Sequence, residues 1–86
     1  MSKDISRLIL TASEEVCDAL ESQLKGQPGV LATFQNSGFW YSNGETGPEW
    51  FTITIEADYS KKEAIEALVH SKLDALDMSV QNMFWG

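Results

Sequence analysis

The centre of the chain reads GFWYSNGETGPEWF over residues 38–51, and this stretch predicts a β-hairpin. Asn43-Gly44 favours the positive backbone angles of a two-residue hairpin turn. Aromatic residues, which are common in strands, lie on both sides of this turn. Gly47-Pro48 predicts that the descending arm is irregular, because proline cannot donate a ladder hydrogen bond. We therefore expect a long antiparallel hairpin in the middle of the chain.

A segment with the signals of a helix lies on each side of the hairpin. In the first segment Thr11 precedes Glu14 by three residues, the spacing of a capping box, and Ser13 is the alternative cap. Pro28 and Gly29 predict the end of this helix. The second segment contains the capping box Ser60-Lys61-Lys62-Glu63. Apolar residues then recur at helical spacing in both segments, at Val16, Ala19, Leu20 and Leu24 and at Ile65, Leu68, Val69, Leu73 and Leu76.

Short apolar segments precede the first helix, at Ile5 to Ala12, and follow the second, up to Trp85. The resulting order is β-α-β-β-α-β, which predicts an α+β fold of the ferredoxin-like type. In this arrangement two helices cover one face of a four-stranded antiparallel sheet, and the other face carries no helix. With 86 residues the chain can form one hydrophobic core, so we expect a single domain over residues 1–86.

Alternation along the strands predicts which side chains face the helices. The inward set is predicted to be Leu8, Leu10, Phe51, Ile53, Ile55, Ala57, Val80, Asn82 and Phe84. The outward set is predicted to be Ile9, Thr11, Trp50, Thr52, Thr54, Met83 and Trp85. Because this outward set mixes large apolar residues with threonines, it is typical of an interface rather than of a solvated surface.

The chain is strongly acidic. Thirteen Asp and Glu against six Lys and Arg give a formal net charge of −7, which repels phosphate backbones and anionic membranes. We therefore expect neither nucleic acid nor membrane as a partner. On the first helix Glu14, Asp18 and Glu21 form one stripe, with Glu15 at its edge. This acidic face is either a solvated surface or a docking face for a basic partner, and in the second case it could imitate nucleic acid.

The sequence lacks the residue sets of the catalytic and cofactor-binding versions of this fold. Cys17 is the only cysteine, which excludes an internal disulfide and any two-cysteine metal motif, and we expect it to be half-buried. No arginine follows Arg7 to bind phosphate as in acylphosphatase-like enzymes. His70, the only histidine, has no activating partner at a suitable spacing. We expect no enzymatic activity, no cofactor and no metal.

Neither a membrane-spanning stretch of about 20 apolar residues nor an apolar run of signal-peptide type is present, so we expect a cytoplasmic protein. The aromatic hairpin and the outward sheet face then predict a small protein-binding domain. Its expected role is to inhibit or regulate a protein partner, as phage-encoded inhibitors of host factors do. The expected contact residues are Trp40, Tyr41, Asn43, Glu45, Trp50, Thr52, Thr54, Met83 and Trp85.

Three alternatives remain at this level. The hairpin rings could pair across strands and clamp the hairpin to the sheet. The outward face could be buried against a copy of the chain, which would make the protein a homodimer or an assembly domain. Regulatory small-molecule domains of the ACT type share the strand order, although they place a glycine-containing turn where this chain has Thr11, Ala12 and Ser13.

Overall fold

The computed structural model describes residues 4–86, apart from the side chains of Trp40 and Ser42. Its elements are β1 (Ile5–Ala12), α1 (Glu14–Leu24), β2 (Val30–Ser42), β3 (Glu45–Asp58), a 3-10 turn (Tyr59–Lys61), α2 (Lys62–Leu76) and β4 (Asn82–Trp85). The four strands form one sheet in the order β2-β3-β1-β4, and each neighbouring pair is antiparallel. This confirms the predicted α+β fold of the ferredoxin-like type.

The core lies between the sheet and the two helices. Leu8 pairs with Ile55 and Leu10 with Ile53 on the central strands β1 and β3, and all four side chains are fully buried. Side chains of both helices cover them, namely Val16, Cys17, Leu20, Leu24, Ile65, Val69 and Leu73. Each large aliphatic side chain buried in this way contributes about 1.5 to 3 kcal/mol of transfer free energy. Cys17 is fully buried, so the expected half-buried position is wrong.

Neither predicted capping box forms. Ser13, the alternative cap, begins α1, since its hydroxyl accepts a hydrogen bond from the Val16 amide at 3.4 Å, whereas Thr11 is a residue of β1. Before α2 the Asp58 carboxylate accepts from the amide and hydroxyl of Ser60, at 3.0 and 2.9 Å. This interaction places Ser60 inside the 3-10 turn, and α2 begins two residues later at Lys62.

The predicted orientation of the last strand is wrong. Trp85 lies opposite Leu8 and Met83 opposite Leu10, so both face the helices and pack against the core. Phe84 lies opposite Ile9 and therefore faces outward. The cause is that β4 has only four residues, and its pairing with β1 decides which side chains face the helices. Val80 also packs against the core, but it precedes the strand, so alternation counted from it is out of phase.

The hairpin of β2 and β3 extends beyond the rest of the sheet. β1 pairs with β3 only from Phe51 to Asp58, so residues 38–50, here called the arm, project as a two-stranded ribbon. Asn43 and Gly44 form its turn with φ angles of 51° and 80°, as predicted. The register of the arm shifts between Phe39 and Tyr41. Gly47 and Pro48 lie opposite a single residue of β2 at this shift, so β3 has one extra residue there, which confirms the expected irregularity.

Candidate protein-binding surface

The sheet face turned away from the helices is the first part of the candidate surface, and we call it the open face. Its side chains alternate with those of the core. They belong to Ile5, Arg7, Ile9, Thr11, Ala32, Phe34, Asn36, Trp50, Thr52, Thr54, Glu56, Asn82 and Phe84. The predicted outward positions of Ile9, Thr11, Trp50, Thr52 and Thr54 are therefore correct, whereas Met83 and Trp85 lie on the other face.

Strand pairing arranges the open face in rows that cross the sheet. One row runs Phe34, Thr54, Ile9 and Phe84 from β2 to β4. Phe34 is 50% exposed and Phe84 is 47% exposed, so both ends of this row present ring surface to solvent. We call it the apolar row. Sequence reasoning missed both phenylalanines, although Phe34 could have been found by extending the alternation of β3 across the hairpin.

Polar rows lie on either side of the apolar row. Asn36, Thr52, Thr11 and Asn82 form an uncharged row on the side towards the arm. On the other side Arg7 lies opposite Glu56, and its Nε atom is 2.8 Å from the Glu56 carboxylate. Because Arg7 is largely exposed, this ion pair adds only about 0 to 1 kcal/mol to stability. Its effect on the surface is to neutralise both charges, so the centre of the open face carries no net charge.

The arm is the second part of the candidate surface. Trp50 lies opposite Gly38, and a Cβ atom at Gly38 would come within 2.5 Å of the Trp50 ring. The indole therefore packs against the glycine backbone and is half-buried. Tyr41 is 74% exposed and Phe39 is 48% exposed. Among the described rings of the arm, Tyr41 is thus the most accessible.

Other predicted contact residues of the arm lie at or near its tip. Asn43 and Glu45 are exposed there. The side chain of Trp40 lies outside the described part of the structure. Where the arm leaves the body, Pro48, Glu49 and Gln81 border a depression of about 300 Å³ next to the start of α1.

The acidic face of α1 is smaller than the sequence suggests. Glu14, Glu15 and Asp18 are exposed. Glu21 instead accepts hydrogen bonds from the Thr33 hydroxyl at 3.1 Å and from the Gln35 amide at 2.8 Å. It therefore attaches α1 to the edge strand β2, and three exposed carboxylates remain.

Cys17 does not form part of any accessible site. Burial, followed by the charge of Asp18, raises the pKa of its thiol above the ordinary range. Since the thiolate is the reactive form, this thiol is expected to react slowly. Among residues 4–86, no group of three or more His, Cys, Asp or Glu side chains is placed to hold a metal ion. Within the same residues, neither helix has the length and apolar character needed to cross a membrane.

Comparison with known proteins supports the fold. No family model and no curated protein matches the sequence. Among solved structures, a DUF3240 family protein from Shewanella baltica superimposes with a TM-score of 0.65 at 13% identity, covering 100% of this chain and 88% of that one. The periplasmic divalent cation tolerance protein CutA from Archaeoglobus fulgidus gives a TM-score of 0.56 at 16% identity, covering 96% of this chain and 80% of that one. At these identities the likeness shows a shared fold alone.

Proposed function

We propose that this protein is a non-enzymatic domain that binds a protein partner through the open face and the arm. The observation that carries the proposal is the apolar row, which crosses all four strands on the face turned away from both helices. Three of its four residues are apolar and both of its end rings are about half exposed, and exposed apolar surface marks interaction sites in soluble proteins. Occupying the partner's surface would inhibit or regulate that partner.

The charge distribution indicates the chemistry of the partner. The chain carries a net charge of −7, and Glu45 and Glu49 are exposed on the arm. The apolar row, by contrast, lies between uncharged residues and a neutralised ion pair. A complementary partner therefore has an apolar centre with basic residues around it, and long-range attraction would speed the encounter.

Tyr41 is the best anchor to test on the arm. Tyrosine and tryptophan are enriched among residues that dominate interface energetics, since a large ring is ordered at the cost of two side-chain torsions. Trp50 is also one of the contact residues predicted from the sequence, but its replacement would remove the packing on Gly38 as well. Tyr41 is 74% exposed, so its replacement changes the surface with little effect on the fold.

The proposal can be tested by purifying the tagged protein from its native cell and measuring co-purifying proteins by quantitative mass spectrometry. We expect one basic protein at stoichiometric yield. Phe34→Lys should abolish its recovery, whereas His70→Ala, an exposed change on α2, should not. With the purified partner, Tyr41→Ala should weaken binding by about 2 kcal/mol. Equal recovery by wild type and Phe34→Lys would contradict the proposed surface.

Self-association is the second candidate function, and the position of β2 favours it. β2 is an edge strand, and within residues 4–86 it pairs only with β3. A long edge strand beside exposed apolar residues can pair with a copy of itself. If the open faces of the two copies also pack against each other, Thr52→Lys and Thr54→Glu should convert a dimer into a monomer without changing the circular dichroism spectrum. A wild-type protein that sediments as a monomer at high micromolar concentration would contradict self-association.

A further inference from the structure

A second depression lies on the helix side of the sheet, away from the open face. It forms where the 3-10 turn, the first turns of α2 and the end of β4 meet, and its volume is about 470 Å³. Its lining consists of two aromatic residues, two carboxylates, one lysine and one serine, namely Tyr59, Trp85, Glu63, Glu66, Lys62 and Ser60. We call this depression the aromatic pocket.

The aromatic pocket already holds a cation of the protein itself. The Lys62 ammonium nitrogen is 5.2 Å from the centre of the Trp85 ring and 5.7 Å from that of the Tyr59 ring. Both distances are within the range of about 6 Å in which a cation is attracted to the face of an aromatic ring. One ammonium group therefore interacts with two rings at once.

The fold holds the Trp85 ring and the backbone that carries Tyr59 in place without help from Lys62. Trp85 is a residue of β4 opposite Leu8, and its indole N–H donates to the Glu66 carboxylate at 2.8 Å. The backbone N–H of Tyr59 donates to the Asp4 carbonyl at 3.0 Å. Lys62, in contrast, reaches the pocket only through its own flexible side chain. The Trp85 ring and the Glu66 carboxylate would therefore remain in place if that side chain moved away, and the Tyr59 ring would stay within reach of the same depression.

We propose that the aromatic pocket is a binding site for a methylated ammonium group, which Lys62 occupies when no ligand is present. A primary ammonium is compact and strongly hydrated. A methylated ammonium keeps the positive charge, and aromatic pockets are the usual receptors for such ions. Glu63 and Glu66 add negative charge to the lining, so displacing Lys62 leaves a pocket lined by two carboxylates and two rings.

Lys62 then competes with the ligand for the aromatic pocket. When a site is available only part of the time, the apparent dissociation constant rises by the inverse of the available fraction. If Lys62 leaves the pocket free about one fifth of the time, Lys62→Ala should bind a methylated ammonium about fivefold more tightly than wild type. Lys61→Ala is the matched control, because it removes the same charge from the neighbouring position, and Lys61 is not one of the residues that line the pocket.

The experiment is a titration of the full chain with choline and with N-trimethyllysine. Calorimetry and tryptophan fluorescence measure the binding. The neutral isostere of choline, 3,3-dimethyl-1-butanol, separates ring–cation attraction from simple apolar binding. We expect both cations to bind at least about tenfold more tightly than the isostere. Tyr59→Ala should weaken binding about tenfold, and Tyr59→Phe should leave it nearly unchanged. A preference for choline would favour a small-molecule ligand, and a preference for N-trimethyllysine would favour a modified side chain.

Three outcomes would overturn the proposal. The first is equal affinity for choline and its neutral isostere. The second is an equal gain in affinity from Lys61→Ala and Lys62→Ala, because that would reflect net charge rather than a vacated pocket. The third is unchanged binding in a folded Tyr59→Ala variant. None of these outcomes bears on the open face, so the protein-binding proposal is tested separately.

Discussion

The two faces of the sheet are built from the same strands but have opposite properties. On the helix side Leu10 and Ile53 are fully buried. One residue away on the open face, Ile9 and Thr54 remain half-buried, and Phe34 is 50% exposed. The first face accounts for the stability of the domain. The open face leaves apolar side chains partly exposed, and the proposed partner would bury them.

The difference shows that exposure, more than residue type, identifies the candidate site. Leu10 and Ile9 are both large aliphatic residues on β1, yet only the second faces away from the helices. A residue that is apolar and exposed in a row of similar residues is a better candidate for binding than an aromatic residue chosen by type. Trp85 shows why residue type alone misleads, because it is aromatic and yet faces the helices and packs against the core.

The largest expected effect comes from placing a charge on each face in turn. Leu10→Asp should unfold the domain, because it buries an unpaired carboxylate at a cost of several kcal/mol. Ile9→Asp, on the adjacent residue of the same strand, should leave a cooperative unfolding transition. Thermal melts followed by circular dichroism would measure both. Similar melting temperatures for the two variants would contradict the difference between the faces.

A smaller effect is expected where the open face is closely packed, at the base of the arm. Gly38→Ala should destabilise the domain by about 1 to 3 kcal/mol, because the added methyl group collides with the Trp50 ring. Denaturant unfolding would measure the loss, and a red shift of the tryptophan emission would report displacement of the ring. Asn36→Ala is the control on the same strand. An unchanged emission spectrum together with unchanged stability would show that Trp50 does not pack on Gly38.

On the helix side, the polar contact between α1 and β2 should matter less than the apolar core. Glu21→Ala should lower the free energy of unfolding by about 1 to 2 kcal/mol, because it removes the acceptor for Thr33 and Gln35. Glu14→Ala, at an exposed position of the same helix, should change it by less than about 0.5 kcal/mol. Chemical denaturation of both variants provides the comparison, and equal losses would contradict the assigned role of Glu21.

The smallest expected effect is a pH dependence from Cys17. Burial raises the pKa of this thiol in the folded state, so the folded protein keeps its proton at a pH where the unfolded chain loses it. This contribution to stability is complete below the ordinary thiol pKa of about 8.5 and declines as the pH rises above it. Cys17→Ala should therefore show a shallower decrease in the free energy of unfolding above that pH. Equal slopes for the two proteins would contradict a buried thiol.

The sequence predicts the fold and the central strands well, because long alternating segments such as residues 51–57 leave one consistent orientation. Prediction failed at β4, where four residues cannot specify a register without the strand they pair with. Asn82 was a signal of the error, since the reversed orientation placed a polar side chain in the core. The start of α2 was also displaced, because the Asp58 carboxylate competes for the Ser60 amide and forms a 3-10 turn.

The candidate sites were predictable only in part. The threonines and Ile9 of the open face follow directly from alternation along β1 and β3. Phe84 could be assigned to the open face only after the pairing of β4 with β1 was known. The aromatic pocket had no sequence signal of its own, because Trp85 is distant in the chain from Tyr59 and Lys62. The other five members lie together between positions 59 and 66, but nothing in that segment indicates a pocket until Trp85 is placed beside it.

The connectivity of the sheet also determines the order in which its parts can fold. β2 and β3 meet across the Asn43-Gly44 turn, so their pairing closes a very short loop. β4 must instead find β1 across almost the whole chain, and closing a long loop costs more entropy and takes longer. We expect the hairpin to form early and Trp85 to dock late. During synthesis the outer edge of β1 therefore stays unpaired until β4 emerges, and this is the stage at which two chains could exchange their last strands.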